Sequence, residues 1–337
     1  SDPIAMALES RGREAMADVP KALASLPRFE IPLRPRQVVG LDALKGFFDS
    51  EVTVPDIVAS APDIGGWDQL EDLIDSLDGA DGVIMTMGKG GVGKTSIAAT
   101  LARALAERGR EVLLTTTDPA AHVADAAGEV PPNLTVDRID PEAEVAKYRE
   151  YVLATTGKNL DADGLALLEE DLASPCTEEI AVFQAFAATV DQAKDRIVVM
   201  DTAPTGHTIL LLDAAQSYHK EVSRQARAVP DAVLNLLPRL RDPAFTRILL
   251  CAVPEATPVH EAAELQTDLR RAGIEPFAWI VNQSLAPLDV KDPVLVSRRA
   301  QEARYLDEVR TDLAGRSALI ALSNEAGVIQ EGKRLSA

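Results

Sequence analysis

Gly88-Lys89-Gly90-Gly91-Val92-Gly93-Lys94-Thr95-Ser96 decides how this chain is read, because it fits G-x-x-x-x-G-K-[ST], the pattern of a loop that cradles phosphate. The apolar run Val83-Ile84-Met85-Thr86-Met87 before it reads as a buried strand. After it, Ile97, Ala98, Leu101, Ala102 and Leu105 have the spacing of a helix from Ser96 to Glu107. Strand, loop and helix are therefore expected in that order. Glycine at 88, 90, 91 and 93 would let the backbone turn with φ above zero, so that successive N–H groups and the helix N-terminus face one anion. In such a loop Lys94 reaches the β- and γ-phosphates of a nucleotide and the Thr95 hydroxyl holds Mg²⁺. The fixed positions arise by chance in roughly one chain of this length in a hundred, and the flanking strand and helix lower that figure.

Downstream, Gly109 should stop the helix, and Glu111 to Thr117 should form a second strand running into Asp118-Pro119-Ala120-Ala121-His122. Asp118 then lies at a strand's C-terminal end, where open parallel sheets bind ligands. It is a candidate for orienting an attacking water or a Mg²⁺-bound water. It could also cap a helix starting at Pro119, and the two roles are compatible. Leu134 to Ile139 reads as a further strand. Residues 141–172 carry helical spacing, with Gly157 and Gly164 as breaks, and Ser174-Pro175-Cys176-Thr177-Glu178-Glu179 opens a long amphipathic helix to Ala193. Ile197-Val198-Val199-Met200-Asp201 is a buried strand ending in an acid. Asp201 would hold Mg²⁺ directly or through water, with Thr202-Ala203-Pro204-Thr205-Gly206-His207 as a turn that senses the γ-phosphate, although a strand-end aspartate is also a common turn residue.

Residues 208–245 read as helical with prolines at 230, 238 and 243. A strand Ile248 to Val253, a helix Thr257 to Arg271 closed by Gly273 and a strand Ala278 to Asn282 follow, then a helix over 293–314 and a strand Ala318 to Leu322. Strands alternating with helices argue an α/β fold, a doubly wound and mostly parallel sheet of the P-loop NTPase kind.

Composition narrows the function. A chain of 337 residues, 46% hydrophobic, can hold one large α/β domain with appendages or two compact domains. Its formal charge of −19 repels nucleic acid and anionic membrane surfaces, and no basic patch offsets it, which argues against a direct nucleic-acid function. With only Cys176 and Cys251, no signal peptide and no apolar run near 18 residues, a reduced cytosolic setting is expected, and any membrane role works through a partner. The start at Ser1 without a methionine suggests processing or a fragment of something longer. Residues 1–48, proline-rich between Pro20 and Pro35, are too few to fold alone. Between Gly46 and Gly88 there are ten acids and no Lys or Arg, the composition of a solvated linker. Trp67, Leu70, Leu73, Ile74 and Leu77 then space as one face of a short helix. The expected organisation is a partial tail at 1–48, an acidic linker and short helix at 49–80, and a P-loop ATPase domain at 81–337.

Lys89 follows the first glycine, where an ordinary phosphate loop needs no lysine and a solvated loop charge would serve. In this form, G-K-G-G-x-G-K-[ST], the loop resembles the deviant Walker A ATPases, which work as sandwich dimers with that lysine reaching the partner's nucleotide. Taken with Thr117-Asp118-Pro119-Ala120 and His122, and with Asp201 to Thr208, the chain resembles the arsenical pump-driving ATPases, cytosolic engines of arsenite and antimonite efflux. The resemblance runs from about 70 to 285, its most specific part is Cys176-Thr177-Glu178-Glu179-Ile180-Ala181-Val182-Phe183, and it weakens after 290.

That resemblance implies two ATPase halves, usually fused, which close over two nucleotides with a metalloid between them. Residues 20–48 look like the end of a preceding half. It implies that Gly88, Lys89, Gly90, Gly91, Val92, Gly93, Lys94, Thr95 and Ser96 bind ATP, that Lys89 crosses the interface, and that Asp118 and Asp201 are catalytic or Mg²⁺-associated. It makes Asn282 an adenine contact, and Cys176 and His207 metalloid-site residues. Trivalent arsenic and antimony are thiophilic, and a helix N-terminus favours a thiolate, so the chemistry of Cys176 agrees. One thiol is a poor soft-metal site, so the other ligands should come from another half or subunit. Read without the resemblance, Cys176 is a small hydrophobe and His207 a helix cap. Cys251, inside an apolar run, is expected in the core. The implied partners are a second ATPase half or subunit, a membrane arsenite efflux channel and an arsenic metallochaperone, and the implied location is the cytoplasm at the inner membrane.

The sequence bears on two other functions. A targeting chaperone for tail-anchored membrane proteins would in its zinc-clamped form need a C-x-x-C, absent here, and there is no Met-rich apolar stretch, although Ala232-Val233-Leu234-Asn235-Leu236-Leu237 keeps the idea open. A partitioning ATPase would want a basic patch or an amphipathic anchor, and neither is visible.

Overall fold

The computed structural model describes residues 2–23, 26–48, 54, 61–79, 81–118, 123–128, 130–203 and 230–323. Its strands are β1 (Gly82–Met87), β2 (Val112–Thr116), β3 (Leu134–Val136), β4 (Ile197–Asp201), β5 (Thr246–Ala252), β6 (Ala278–Ser284) and β7 (Ser317–Ala321). They form one seven-stranded sheet in the order β3-β2-β4-β1-β5-β6-β7. The registers of β1 with β4 and β5, of β2 with β3 and β4, and of β6 with β7 are all parallel, as expected of an α/β doubly wound fold. Continuous apolar runs make this possible, since β1, β2, β4 and β5 are buried along their whole length.

The chain divides into two compact units. The first, residues 74–250 and 264–277, carries the phosphate loop. Within it α4 (Lys94–Glu107) buries Ile97, Leu101 and Leu105, as its spacing requires, and ends before Gly109, whose φ of 87° suits the left-handed residue after a helix. Then come α5 (Val123–Ala127), α6 (Pro141–Thr155), α7 (Ala162–Leu172), α8 (Pro175–Asp191) and α9 (Asp231–Arg241). Gly157 breaks the helical run as expected, but Gly164 does not. It lies in the first turn of α7 with its N–H held by the Asp161 carboxylate at 2.9 Å, and a capped first turn tolerates glycine. The Leu134 strand stops at Val136 rather than Ile139. Residues 208–229 of the expected helical stretch lie outside the described residues.

The second unit comprises residues 1–73, 251–263 and 278–337. It contains β6, β7, α2 (Leu41–Lys45) and α11 (Pro293–Glu308), which passes into a π-helical turn over Val309–Leu313. It also contains α1 (Pro3–Ala17), a helix the apolar pattern does not announce, since none of its residues is buried. Its start is legible in Asp2-Pro3: the Asp2 carboxylate caps the N–H groups of Ile4 and Ala5, and proline occupies the first turn. The short helix α3 (Leu70–Leu77) and the long helix α10 (Ala256–Arg271) complete the elements.

Candidate phosphate-binding site

Strand register assembles the site. Thr86 of β1 and Thr116 of β2 are both paired with Asp201 of β4, so the aspartate stands between two threonines at the C-terminal edge of three adjacent strands. The glycine loop leaves that edge one residue after β1. Positive φ occurs at Gly88 (146°), Gly91 (81°) and Gly93 (89°), conformations in which a side chain is strained. Gly90 corrects the expectation, since it is not among the positive-φ glycines and is exposed at the loop tip. Gly93 is the N-cap of α4 and offers no side-chain cap, so the first turn points uncapped amides toward the loop.

The expected residues converge in part. The Lys94 side chain is 7% exposed, and its Nζ donates to the Lys89 carbonyl at 3.0 Å, so the ammonium lies folded along the loop. The Thr95 hydroxyl donates to Asp201 Oδ2 at 2.7 Å, and the Thr86 hydroxyl reaches Oδ1 at 3.4 Å. Asp201 itself is 1% exposed. Burial holds its carboxyl above the usual carboxylate range and the nearby Asp118 charge adds to this, while the Thr95 bond, the Lys94 charge and the Thr86 bond oppose it. Asp118 sits two residues past the end of β2 with its N–H on Thr116 Oγ1 at 3.0 Å; residues 119–122, on which the expected capping role falls, lie outside the described ones.

A threonine frame around Asp201 went unread in the sequence. The Thr202 hydroxyl donates to the Thr86 carbonyl at 2.8 Å, and the Thr117 hydroxyl accepts from the Ala203 N–H at 3.0 Å. The visible signal was the Thr115-Thr116-Thr117 run at a strand end. Thr95, Asp201 and Asp118 offer only hard oxygen donors, a set that suits Mg²⁺, which keeps most of its waters and takes one or two protein oxygens. Lys94 and the loop amides suit the polyphosphate of a nucleotide.

Cys176 is exposed in the first turn of α8, where the sequence put it, with Ser174 as N-cap. Among the described residues no group of three or more His, Cys, Asp or Glu side chains is placed to hold a metal ion. His207 and His122 fall outside the described residues. Asn282 is 5% exposed near the end of β6 in the second unit, and that strand continues to Ser284 rather than stopping at the amide. Cys251 is fully buried in β5, as expected of a core residue. No helix among the described residues is long and apolar enough to cross a membrane.

Residues 82–237 and 214–316 match the family model described as anion-transporting ATPase. The chain is 46% identical over its whole length to an arsenical pump-driving ATPase of Escherichia coli, and 44% identical over 99% of its length to that of Acidiphilium multivorum. It spans 58% of the length of each of these relatives. A more distant similarity, 26% identity over 67% of this chain and 72% of the relative, is to ATPase GET3C of Arabidopsis thaliana.

Proposed function

The chain belongs to the anion-transporting ATPase family, and from that premise we propose that it hydrolyses ATP to drive efflux of arsenite or antimonite through a membrane partner. The observation that carries the reading is the Thr95–Asp201 pair, a hydroxyl and a buried carboxylate 2.7 Å apart at the root of a phosphate loop. Mg²⁺ bound there would neutralise charge on the phosphates, with Thr95 and Asp201 holding it. Lys94 leaves the Lys89 carbonyl to meet the β- and γ-phosphates, and the α4 amides receive them. Asp118 orients the attacking water. Asn282 contacts the adenine.

Closure of two ATPase halves completes the reaction. Lys89, half-buried, crosses to the nucleotide of the other half. Cys176, exposed at a helix start, and His207 supply thiolate and imidazole to a metalloid that bridges the halves and favours the closed state. The remaining metalloid ligands come from the other half, because one thiol is a poor soft-metal site. The further partners are a membrane efflux channel and an arsenic metallochaperone, and the site of action is the cytoplasmic face of the inner membrane. The targeting-chaperone reading is less well supported, because the relatives near 45% identity are named arsenical pump-driving ATPases.

Steady-state ATP hydrolysis, by this chain alone and mixed with an upstream half, with and without antimonite, tests the proposal. A rate that depends on Mg²⁺ and rises with antimonite is expected. Hydrolysis indifferent to antimonite in every mixture would turn the reading toward the targeting chaperone.

A further inference from the structure

Thr116 and Thr117 both turn their hydroxyls onto backbone where β2 leaves the sheet. Thr116 Oγ1 accepts from the Asp118 N–H two residues on at 3.0 Å, a turn that bends the chain away from the strand. Thr117 keeps hold of β4. Its N–H donates to the Asp201 carbonyl at 3.0 Å, and its Oγ1 accepts from the Ala203 N–H at 3.0 Å.

In a parallel pair each residue donates to one residue of its neighbour and accepts from the residue two further on. Since the Asp201 carbonyl takes the Thr117 N–H, a regular ladder would bring the Ala203 N–H to the Thr117 carbonyl. The Thr117 hydroxyl stands in that place. One side chain thus carries the β2–β4 ladder a step further after the β2 backbone has turned off.

The β1 side of the same exit is closed by another hydroxyl, because Thr202 gives both its N–H (3.3 Å) and its Oγ1–H (2.8 Å) to the Thr86 carbonyl. Thr86, Asp201, Thr202 and Ala203 are buried, and Thr117 is half-buried. An amide left without its acceptor there would bear a desolvation penalty, so the Thr117 oxygen is a partner the exit needs.

The clasp also joins two acids. Asp201 ends β4, and Asp118 is the residue after Thr117. They lie close enough for the Asp118 charge to oppose ionisation of Asp201. Two like charges on adjacent strand ends drive those ends apart unless the backbone is tied across the gap, and Thr117 ties it. All of these residues belong to the unit that carries the phosphate loop.

We propose that Thr117 is a positioning residue for the Mg²⁺ end of the nucleotide site: by holding the Ala203 N–H it fixes where the chain leaves β4, and with it the spacing of Asp201 and Asp118. This rests on the ATP reading above, in which Asp201 holds the ion and Asp118 orients water. Thr117 acts through those two acids and touches neither phosphate nor metal. The loop amides and Lys94, which receive the phosphates, stand on a different stretch of chain.

The test is calorimetric binding of the β,γ-imido analogue of ATP, which is not hydrolysed, in Mg²⁺ and in EDTA, by the full chain, Thr117→Val and Thr117→Ser. The ratio of the two affinities measures what Mg²⁺ adds. It should fall about tenfold in Thr117→Val, the size expected for one buried N–H left without its partner, while the affinity in EDTA stays unchanged. Thr117→Ser keeps the oxygen and should restore the ratio. A merely structural role would lower the melting temperature and weaken binding alike in both conditions. Thr202→Val loosens the exit from the β1 side, should lower the ratio in the same direction, and carries the test if Thr117→Val does not fold. Equal weakening in both conditions, an unchanged ratio, or a serine variant no better than the valine one overturns the positioning role while leaving the ATP reading intact. An unsubstituted chain that binds the analogue in neither condition, or gains nothing from Mg²⁺, would overturn both.

Discussion

Replacing Thr95 by valine and Asp201 by asparagine, singly and together, asks whether these residues form one unit in the nucleotide-free fold. Asp201 is 1% exposed, and its short bond comes from Thr95 at 2.7 Å, with Thr86 at 3.4 Å a weak substitute. Thr95→Val keeps the shape and removes that donor from a buried charge, which should cost about 1.5–3 kcal/mol at pH 8. In the Asp201→Asn background the same change breaks only a neutral bond, worth about 0.5–1.5 kcal/mol. The coupling is then about 1 kcal/mol, or roughly 2–4 °C in the melting temperature of a unit this size. Urea unfolding of the four proteins, without Mg²⁺ or nucleotide, measures it, and Thr95→Ser should restore most of the loss. The raised Asp201 pKa adds a pH signature. The fold binds that proton more tightly than the unfolded chain does, so this stabilisation is full below the ordinary aspartate pKa of 3.8 and is lost as pH rises through the folded value. Asp201→Asn should remove that fall. Additive effects within about 0.3–0.5 kcal/mol would refute the pair as a unit.

Lys94→Ala should lower ATP turnover by ~10³-fold or more, since lysine and Mg²⁺ together offset charge on the transferred phosphoryl group, and near-normal turnover would remove the ATPase assignment. Lys89→Ala should abolish ATP-dependent association seen by light scattering; a chain monomeric in every nucleotide condition, even with an upstream half, would count against closure across an interface. Gly82→Ala should lower the melting point sharply, because a Cβ there would stand 2.3 Å from the Phe245 carbonyl at a φ of 141°, and strain of this kind costs about 1–3 kcal/mol. A melting point within a degree of the parent would show that β1 can shift freely. Cys176→Ser should bring the antimonite-stimulated rate down to the unstimulated one, and stimulation equal to the parent's would exclude the thiol from the metalloid site.

What the sequence made legible depended on local patterns. The loop could be read because its glycines, Lys94 and Thr95 have fixed spacing, and β1, β2, β4 and β5 could be read because each is a short apolar run between turn residues. Asp201 was visible as an acid ending such a run. Its bond to Thr95 was not, because it depends on the register that sets Thr86 and Thr116 beside it. Gly164 misled because glycine reads as a break, whereas one carboxylate from Asp161 keeps it inside a helix. Thr117 was missed although a signal existed. It closes the Thr115-Thr116-Thr117 run, but its oxygen meets the Ala203 N–H only because the fold lays β2 beside β4.

The proposed coupling of metalloid binding to ATP hydrolysis through closure of two halves is tested most directly by one rate ratio. Mg²⁺-dependent ATP hydrolysis should be measured in an assembly of this chain with an upstream half, with and without antimonite. A coupling of about 1–3 kcal/mol between metalloid and the closed state predicts stimulation of roughly 5- to 150-fold. A Mg²⁺-dependent rate that is the same with and without antimonite would contradict it.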